Sequence, residues 1–321
     1  MRYFLQRLLQ FAIVFFLVTF GVMVFMRIGM NKPGDPARTM LGGLVPDDKA
    51  AAVNKQYHLN DNLFSQYFFW LTKMFRGDFG ISVQQNVTVA NYMKGRVLVT
   101  FFLGFYSLLW ALIIAVPVAV YQAYRRDSNF DRAGNLFSFL FVSLPALVLA
   151  PFIIQLFVIR LGWFPRISEK VMPWQDLGAH FKNFFLPVLV LTLPLAAIFS
   201  RLLRADIVQT LQSDFITLAS AKGVPPSRVL WTHALRNSLF SLLSSVGVQL
   251  GAIVGGALVV EQYFTMKGMG ALLLTSILSK DLFVVQSVTA IVVAVVSLAN
   301  LLIDLLYAVI DPRIRHARAL T

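Results

Sequence analysis

The chain has 321 residues, of which 58% are hydrophobic and only 13% charged, with a formal net charge of +13. Its mean hydropathy of +0.71 argues against the two soluble domains that the length alone would accommodate. The absence of cysteine excludes disulfides, thiolate metal sites and a cysteine nucleophile.

Charge-free stretches long enough, or nearly so, to cross a bilayer recur along the chain, a span needing about 20 residues. They cover roughly residues 8–26, 97–121, 136–159, 184–200, 238–260 and 282–303. Barrel strands would alternate in polarity, and these runs do not. The expected fold is therefore an all-α polytopic membrane protein with six transmembrane helices. Arg2 and Arg7 precede the first run, as in a signal peptide, but the run is long for a signal core and no small-residue cleavage site follows it, so it reads as a retained span. Lys and Arg flank the spans without a nucleic-acid-binding motif, so the positive charge reads as membrane flanking and no nucleic acid is expected.

Residues 29–96 separate the first two spans. "KPGDPA" signals a turn around Gly34 and Pro36. "PDDKAAAVNKQYHL" predicts a short helix with Asp47 as candidate cap. Phe64, Phe68, Leu71 and Phe75 then share one helical face, with Tyr67 and Trp70 nearby. This predicts an interfacial helix resting on lipid or on the bundle, placed to shape the mouth of a path and meet an external partner.

Pro117, Pro145, Pro151, Pro187 and Pro194 lie within the spans, where each removes a backbone donor and can bend its helix. The fourth span is short and holds two of them. Gly247, Gly251 and Gly255 recur every fourth residue in the fifth span, a face that lets another helix approach closely. Intramembrane charge is sparse: Arg27, Glu261 and Asp304 sit at span ends, and no acid or histidine relay crosses the middle. His58, His180, His233 and His316 are scattered, with no pair at i,i+4, and no phosphate-cradling loop of the GxxxxGK[ST] type occurs. No cofactor, metal or catalytic residue is expected, and any ATP is bound by another chain.

Between the fourth and fifth spans lies a polar hairpin, residues 213–238. Asp214 is a candidate cap; Phe215, Leu218 and Ala219 share a face. Gly223 falls where a helix end favours a left-handed residue. Pro225 blocks continuation, and Pro226 suits the first turn of a following helix. The expectation is a short helix, a sharp turn and a second helix leading into the fifth span. Physical chemistry alone reads this either as an amphipathic connector or as a docking element for a soluble partner.

With six spans both termini share a side with the 122–134 and 201–238 loops. Arg125, Arg126, Arg201, Arg204, Arg313, Arg315 and Arg318 lie close to span ends there, which puts that side in the cytoplasm.

"DFITLASAKGVPPSRVLWTHALRNS" resembles the cytoplasmic signature of ATP-binding-cassette import permeases. Thr217, Leu218 and Ala219 take the places of the general E-A-A, without its glutamate. Ala219, Ala221, Lys222 and Gly223 match the A-x-A-K-G form of the peptide-import branch. "PGDPA", "RGDFGIS", "GGALVVEQYFTMKGMG" and "NLLIDLLYAVIDPRIR" resemble further stretches of that branch, from end to end of the chain. The resemblance implies a type I importer permease of the bacterial inner membrane: the first permease subunit of a dipeptide, oligopeptide or nickel importer. It implies four partners besides the lipid bilayer: a second related permease, two ATPase subunits and an extracytoplasmic substrate-binding protein. On that reading residues 1–28 form the tail and first helix, 29–96 an extracytoplasmic segment, 97–312 the core with its coupling hairpin, and 313–321 a cytoplasmic tail. Asp214, Phe215, Thr217, Leu218, Ala219, Ala221, Lys222 and Gly223 would couple to the ATPases; no residue is assigned to substrate. The alternatives are a self-sufficient channel or secondary transporter, and a membrane-embedded enzyme, which lacks any visible nucleophile–base or metal cluster.

Overall fold

The computed structural model describes residues 2–30, 36–41, 46–82, 84–165 and 171–310. The turn expected around Gly34 and the tail 313–321 fall outside them. In order come α1 (Arg2–Met30), α2 (Pro36–Leu41), α3 (Asp47–Gln56), α4 (Leu63–Phe75), β1 (Ile81–Ser82), β2 (Val87–Thr88), α5 (Val89–Met93), α6 (Arg96–Tyr124) and α7 (Asn129–Ser143). Then follow α8 (Ala146–Ile153) with a π-helical extension Ile154–Arg160, α9 (Leu177–Leu211), α10 (Asp214–Ala221), α11 (Pro226–Arg228), a π-helical stretch Val229–Ala234, α12 (Leu235–Tyr263), α13 (Met269–Leu278) and α14 (Leu282–Ile310). Among the described residues five helices are long and apolar enough to cross a membrane, and six if the bent pair 129–160 counts as one.

The described residues fall into two compact units: those up to Thr100 with Lys267–Leu298, and Phe101–Met266 with those from Ala299. In the first unit α1 meets α4 through polar and aromatic contacts. Thr19 Oγ1 donates to Phe15 O (2.6 Å), which leaves its lone pair for the Tyr67 hydroxyl at 2.7 Å. Phe20 stacks on Phe64 with ring centroids 5.0 Å apart. The aromatic helix α4 is divided. Tyr67, Trp70 and Leu71 are buried, whereas Phe64, Phe68 and Phe75 remain exposed. Asp47 is the first residue of α3, not its cap; Pro46 takes the cap position. From the first turn Asp47 still complements the helix dipole, and it pairs with Arg38. The β1–β2 hairpin is antiparallel, with Ile81 opposite Thr88.

The second unit is built around α9, which is longer than the apolar run 184–200. Asp176 caps it, Oδ1 accepting from Ala179 N at 2.9 Å. Pro187 and Pro194 lie inside without ending the helix. Past its apolar core the helix carries Arg204, whose Nε donates to a carboxylate on α7 at 2.6 Å. The run 136–159, expected as one span, is two helices bent by 104°. Pro145 is the cause: it disfavours helical geometry in the preceding residue, and Leu144 is extended (φ −94°, ψ 107°).

The start of α6 lies beside the start of α9. Fully buried His180 has Nδ1 2.7 Å from the Val171 carbonyl, which only accepts, so Nδ1 carries the proton. Its Nε2 lies 3.1 Å from the Tyr106 hydroxyl. Phe102 packs against the same imidazole, 5.4 Å between centroids.

Candidate functional site

The hairpin forms as the sequence requires, with two differences. Ser213, not Asp214, holds the cap position of α10, and Asp214 is the first helical residue. Ser213 spends its hydroxyl on Thr210 O (2.5 Å), which ties the helix start to the end of α9. The anchoring side chain is Ile216, which is 4% exposed and which the Phe215/Leu218/Ala219 pattern passed over. With Ile216 facing inward, Phe215 (48% exposed) and Leu218 (56%) point outward together with Thr217, Ala221 and Lys222; Ala219 is half-buried.

Gly223 ends the helix in a left-handed conformation, φ +79°. Its N–H donates to Ser220 O (3.0 Å), and Val224 N donates to Ala219 O (3.2 Å). This pair of bonds satisfies two carbonyls that a helix end leaves free, and a side chain at Gly223 would be strained. Pro225 caps the next segment at φ −62° and ψ 144°, with Pro226 following it inside the first turn. Arg228 N and Val229 N both donate to Pro225 O, at 2.9 and 3.0 Å. The returning arm buries Val229, Leu230, Ala234 and Leu235 and leaves Trp231 50% exposed. Trp231 is a third large apolar group on the outside of the hairpin. Its sequence signal was an indole among the polar positions Arg228, Thr232 and Arg236. At the base Asn237 Nδ2 donates to Thr210 Oγ1, and the Ser238 hydroxyl lies beside it, each at 3.4 Å. The two arms are thus joined where they leave the bundle.

The glycines of α12 do not all sit against a neighbour. A Cβ on Gly247 would lie 3.4 Å from Asn300 Oδ1, an ordinary contact. At Gly251 and Gly255 it would meet nothing within 4 Å. The close approach within this chain falls instead on Gly256, where a Cβ would lie 2.8 Å from Leu191 Cδ2. Ser244, Val248, Gly251, Ala252 and Gly255 form an exposed small-residue edge of α12.

Residues 1–104 match the N-terminal region of binding-protein-dependent transport system membrane components. Residues 111–316 match the family described as binding-protein-dependent transport system inner membrane component. The chain belongs to that family. It is 33% identical over 316 residues to the glutathione transport system permease protein of Shigella flexneri serotype 5b, covering 98% of this chain and 99% of the relative. The protein of the same description from Escherichia coli K12 is likewise 33% identical, with the same coverage. A probable peptide ABC transporter permease protein of Sinorhizobium fredii is 31% identical over 319 residues, again 98% and 99%.

This permease is an all-α, multi-pass component of an ABC importer in the bacterial inner membrane. It is not an enzyme; ATP hydrolysis belongs to partner subunits. The channel, secondary-transporter and membrane-enzyme readings are thereby set aside. Membership implies a partner permease, ATPases and a substrate-binding protein.

Proposed function

We propose that this permease imports small peptides, forming half of a transmembrane path with a second, related permease. Two ATPase subunits engage the hairpin, and a peptide-binding protein docks on the opposite face. Glutathione, named for one group of relatives, is itself a tripeptide, so both groups of relatives bear names that fall within one substrate class. Both termini and the hairpin lie in the cytoplasm, and the bent pair 129–160 crosses the bilayer once.

The observation that carries the coupling role is the outward pairing of Phe215 and Leu218 on a helix held from behind by Ile216. Large apolar groups clustered on an exposed polar hairpin mark an interaction surface. ATP binding that moves the ATPases would then pull α10, and with it the end of α9. The open glycines Gly251 and Gly255 supply a packing face for a helix of the second permease, whereas Gly247 packs within this chain. Asp214, Thr217, Ala219, Ala221, Lys222 and Gly223 shape the coupling helix and its turn.

Burying a Phe or Leu side chain contributes about 1.5–3 kcal/mol. Truncating both should weaken ATPase docking by one to several powers of ten, since about 1.4 kcal/mol is tenfold in affinity. The test is co-purification of the ATPases and substrate-stimulated hydrolysis in the reconstituted Phe215→Ala/Leu218→Ala complex. Full retention with full stimulation would reduce the hairpin to a connector. Mass spectrometry of the ligand that co-purifies with the binding protein tests the substrate class; a non-peptide ligand would refute it.

A further inference from the structure

Asp131 lies in the first turn of α7 and is 2% exposed. Its carboxylate receives hydrogen bonds from four places in the chain. Arg204 on α9 grips it with both edges of the guanidinium fork, Nε to Oδ1 at 2.6 Å and Nη2 to Oδ2 at 2.5 Å. Gln122 near the end of α6 donates to the Asp131 carbonyl (3.3 Å) and to Oδ1 (3.5 Å). Asp127 N, in the turn between α6 and α7, donates to Oδ2 at 3.0 Å, and Asn135 Nδ2 to Oδ1 at 3.3 Å. Ser128, the cap of α7, accepts from Asp131 N at 3.3 Å.

The surroundings are fitted to this arrangement. Gln122 is 1% exposed, and a Cβ on Gly134 would overlap its amide, so the place of Gln122 depends on a glycine one turn along α7. A second contact joins the same two helices: the Arg201 guanidinium sits 5.5 Å from the centre of the Phe139 ring.

A buried ion pair is weak evidence for stability, since the desolvation cost offsets the attraction. A planar fork gripping a carboxylate at two points does fix the mutual orientation of its helices, which a hydrophobic contact or a lysine would not. Arg204 stands seven residues before Leu211, about 10 Å along the axis of α9. Beyond Leu211 the chain turns directly into α10. In the other direction α7 leads to the bend at Leu144–Pro145 and into α8.

We infer that the Asp131–Arg204 pair is a fixed joint that carries displacement of the hairpin from α9 to α7 and the bent pair, making both residues positioning residues for import. This rests on the coupling role of the hairpin. Without the joint α9 would move alone, and ATP would be consumed without a matching rearrangement of the path.

The test uses the complete complex in proteoliposomes, comparing wild type with Arg204→Lys, the neutral pair Asp131→Asn/Arg204→Gln, and Phe215→Ala/Leu218→Ala. The neutral pair leaves no uncompensated buried charge, so its assembly and ATPase retention should match wild type. Peptide transported per ATP hydrolysed should fall about tenfold, a typical coupling magnitude. Arg204→Lys keeps the charge but not the fork, and should fall in the same direction. A neutral pair with a normal transport-to-ATP ratio would overturn the joint, because charge compensation alone would then explain the residues. Transport that declines only in step with the amount of assembled complex would overturn it as well. The hairpin variant separates the two ideas. If it keeps its ATPases and full stimulation while the neutral pair uncouples, the hairpin reading fails and the joint stands on a different input.

Discussion

At the scale of single residues, Asp281 offers a sign that can be checked. It is 2% exposed, and Ser82 Oγ donates to its Oδ2 at 2.5 Å. Burial raises its carboxyl pKa; the Ser82 bond and the backbone N–H groups of Val284 and Gln84 act in the opposite direction but do not cancel it. For an acid whose folded pKa lies above its unfolded one, the folded state binds the proton more tightly. The stabilising contribution is then complete below the ordinary carboxylate pKa and is lost as pH rises through the raised value. Wild type minus Asp281→Asn should therefore become steadily less favourable as pH rises from the ordinary carboxylate range through the raised value. Thermal unfolding of both proteins in detergent at several pH values measures it, and a difference that does not vary with pH would sink the idea. None of this was legible in the sequence, because Ser82 and Asp281 are 199 positions apart. The same blindness hid the Asp131 joint: Arg204 read as a membrane-flanking charge, and its partner lies 73 positions away.

At the scale of elements, local chemistry was readable and tertiary choice was not. Gly223, Pro225 and Pro226 specify a stop, a turn and a start whatever surrounds them, and the hairpin follows them. Which face of α10 turns inward depends on neighbours, so Ile216 escaped notice beside Phe215 and Leu218. Proline posed a similar ambiguity. Pro145 breaks a helix whereas Pro187 and Pro194 do not, and the residue type alone does not say which. The glycines of α12 divide in the same way and give opposed expectations. Gly256→Leu forces the buried side chain of Leu191 aside within this chain. Overpacking of that kind costs about 1–3 kcal/mol, so the permease itself should lose thermal stability. Gly251→Leu meets open space, so the isolated chain should be unaffected while co-purification of the second permease falls. Equal behaviour of the two variants in both measurements would remove the glycine face from the interface.

At the scale of the whole molecule, the path through the membrane turns on the pair 129–160. Hydropathy read it as one span, and the 104° bend allows either a broken crossing or a re-entrant loop. The contacts of α6 and α9 bear on the choice. Their starts lie together through Tyr106 and His180, and their ends lie together through Gln122, Asp131 and Arg204. Two helices that run in the same direction need a connection that returns from the end of one to the start of the other. The expectation is that the bent pair supplies most of that return by crossing the bilayer once. On that reading the 125–128 turn and the hairpin are expected on one side of the membrane. Because the chain has no cysteine, single cysteines report without background. Arg126→Cys and Ser227→Cys, both at exposed positions, should react with a membrane-impermeant thiol reagent only from the cytoplasmic side of inside-out vesicles. Asn60→Cys, also exposed, should react only in right-side-out spheroplasts. Positions 126 and 227 labelling from opposite sides would make the pair re-entrant. Position 60 labelling with them would instead overturn the first crossing, and with it the expected contact of a binding protein with residues 29–96.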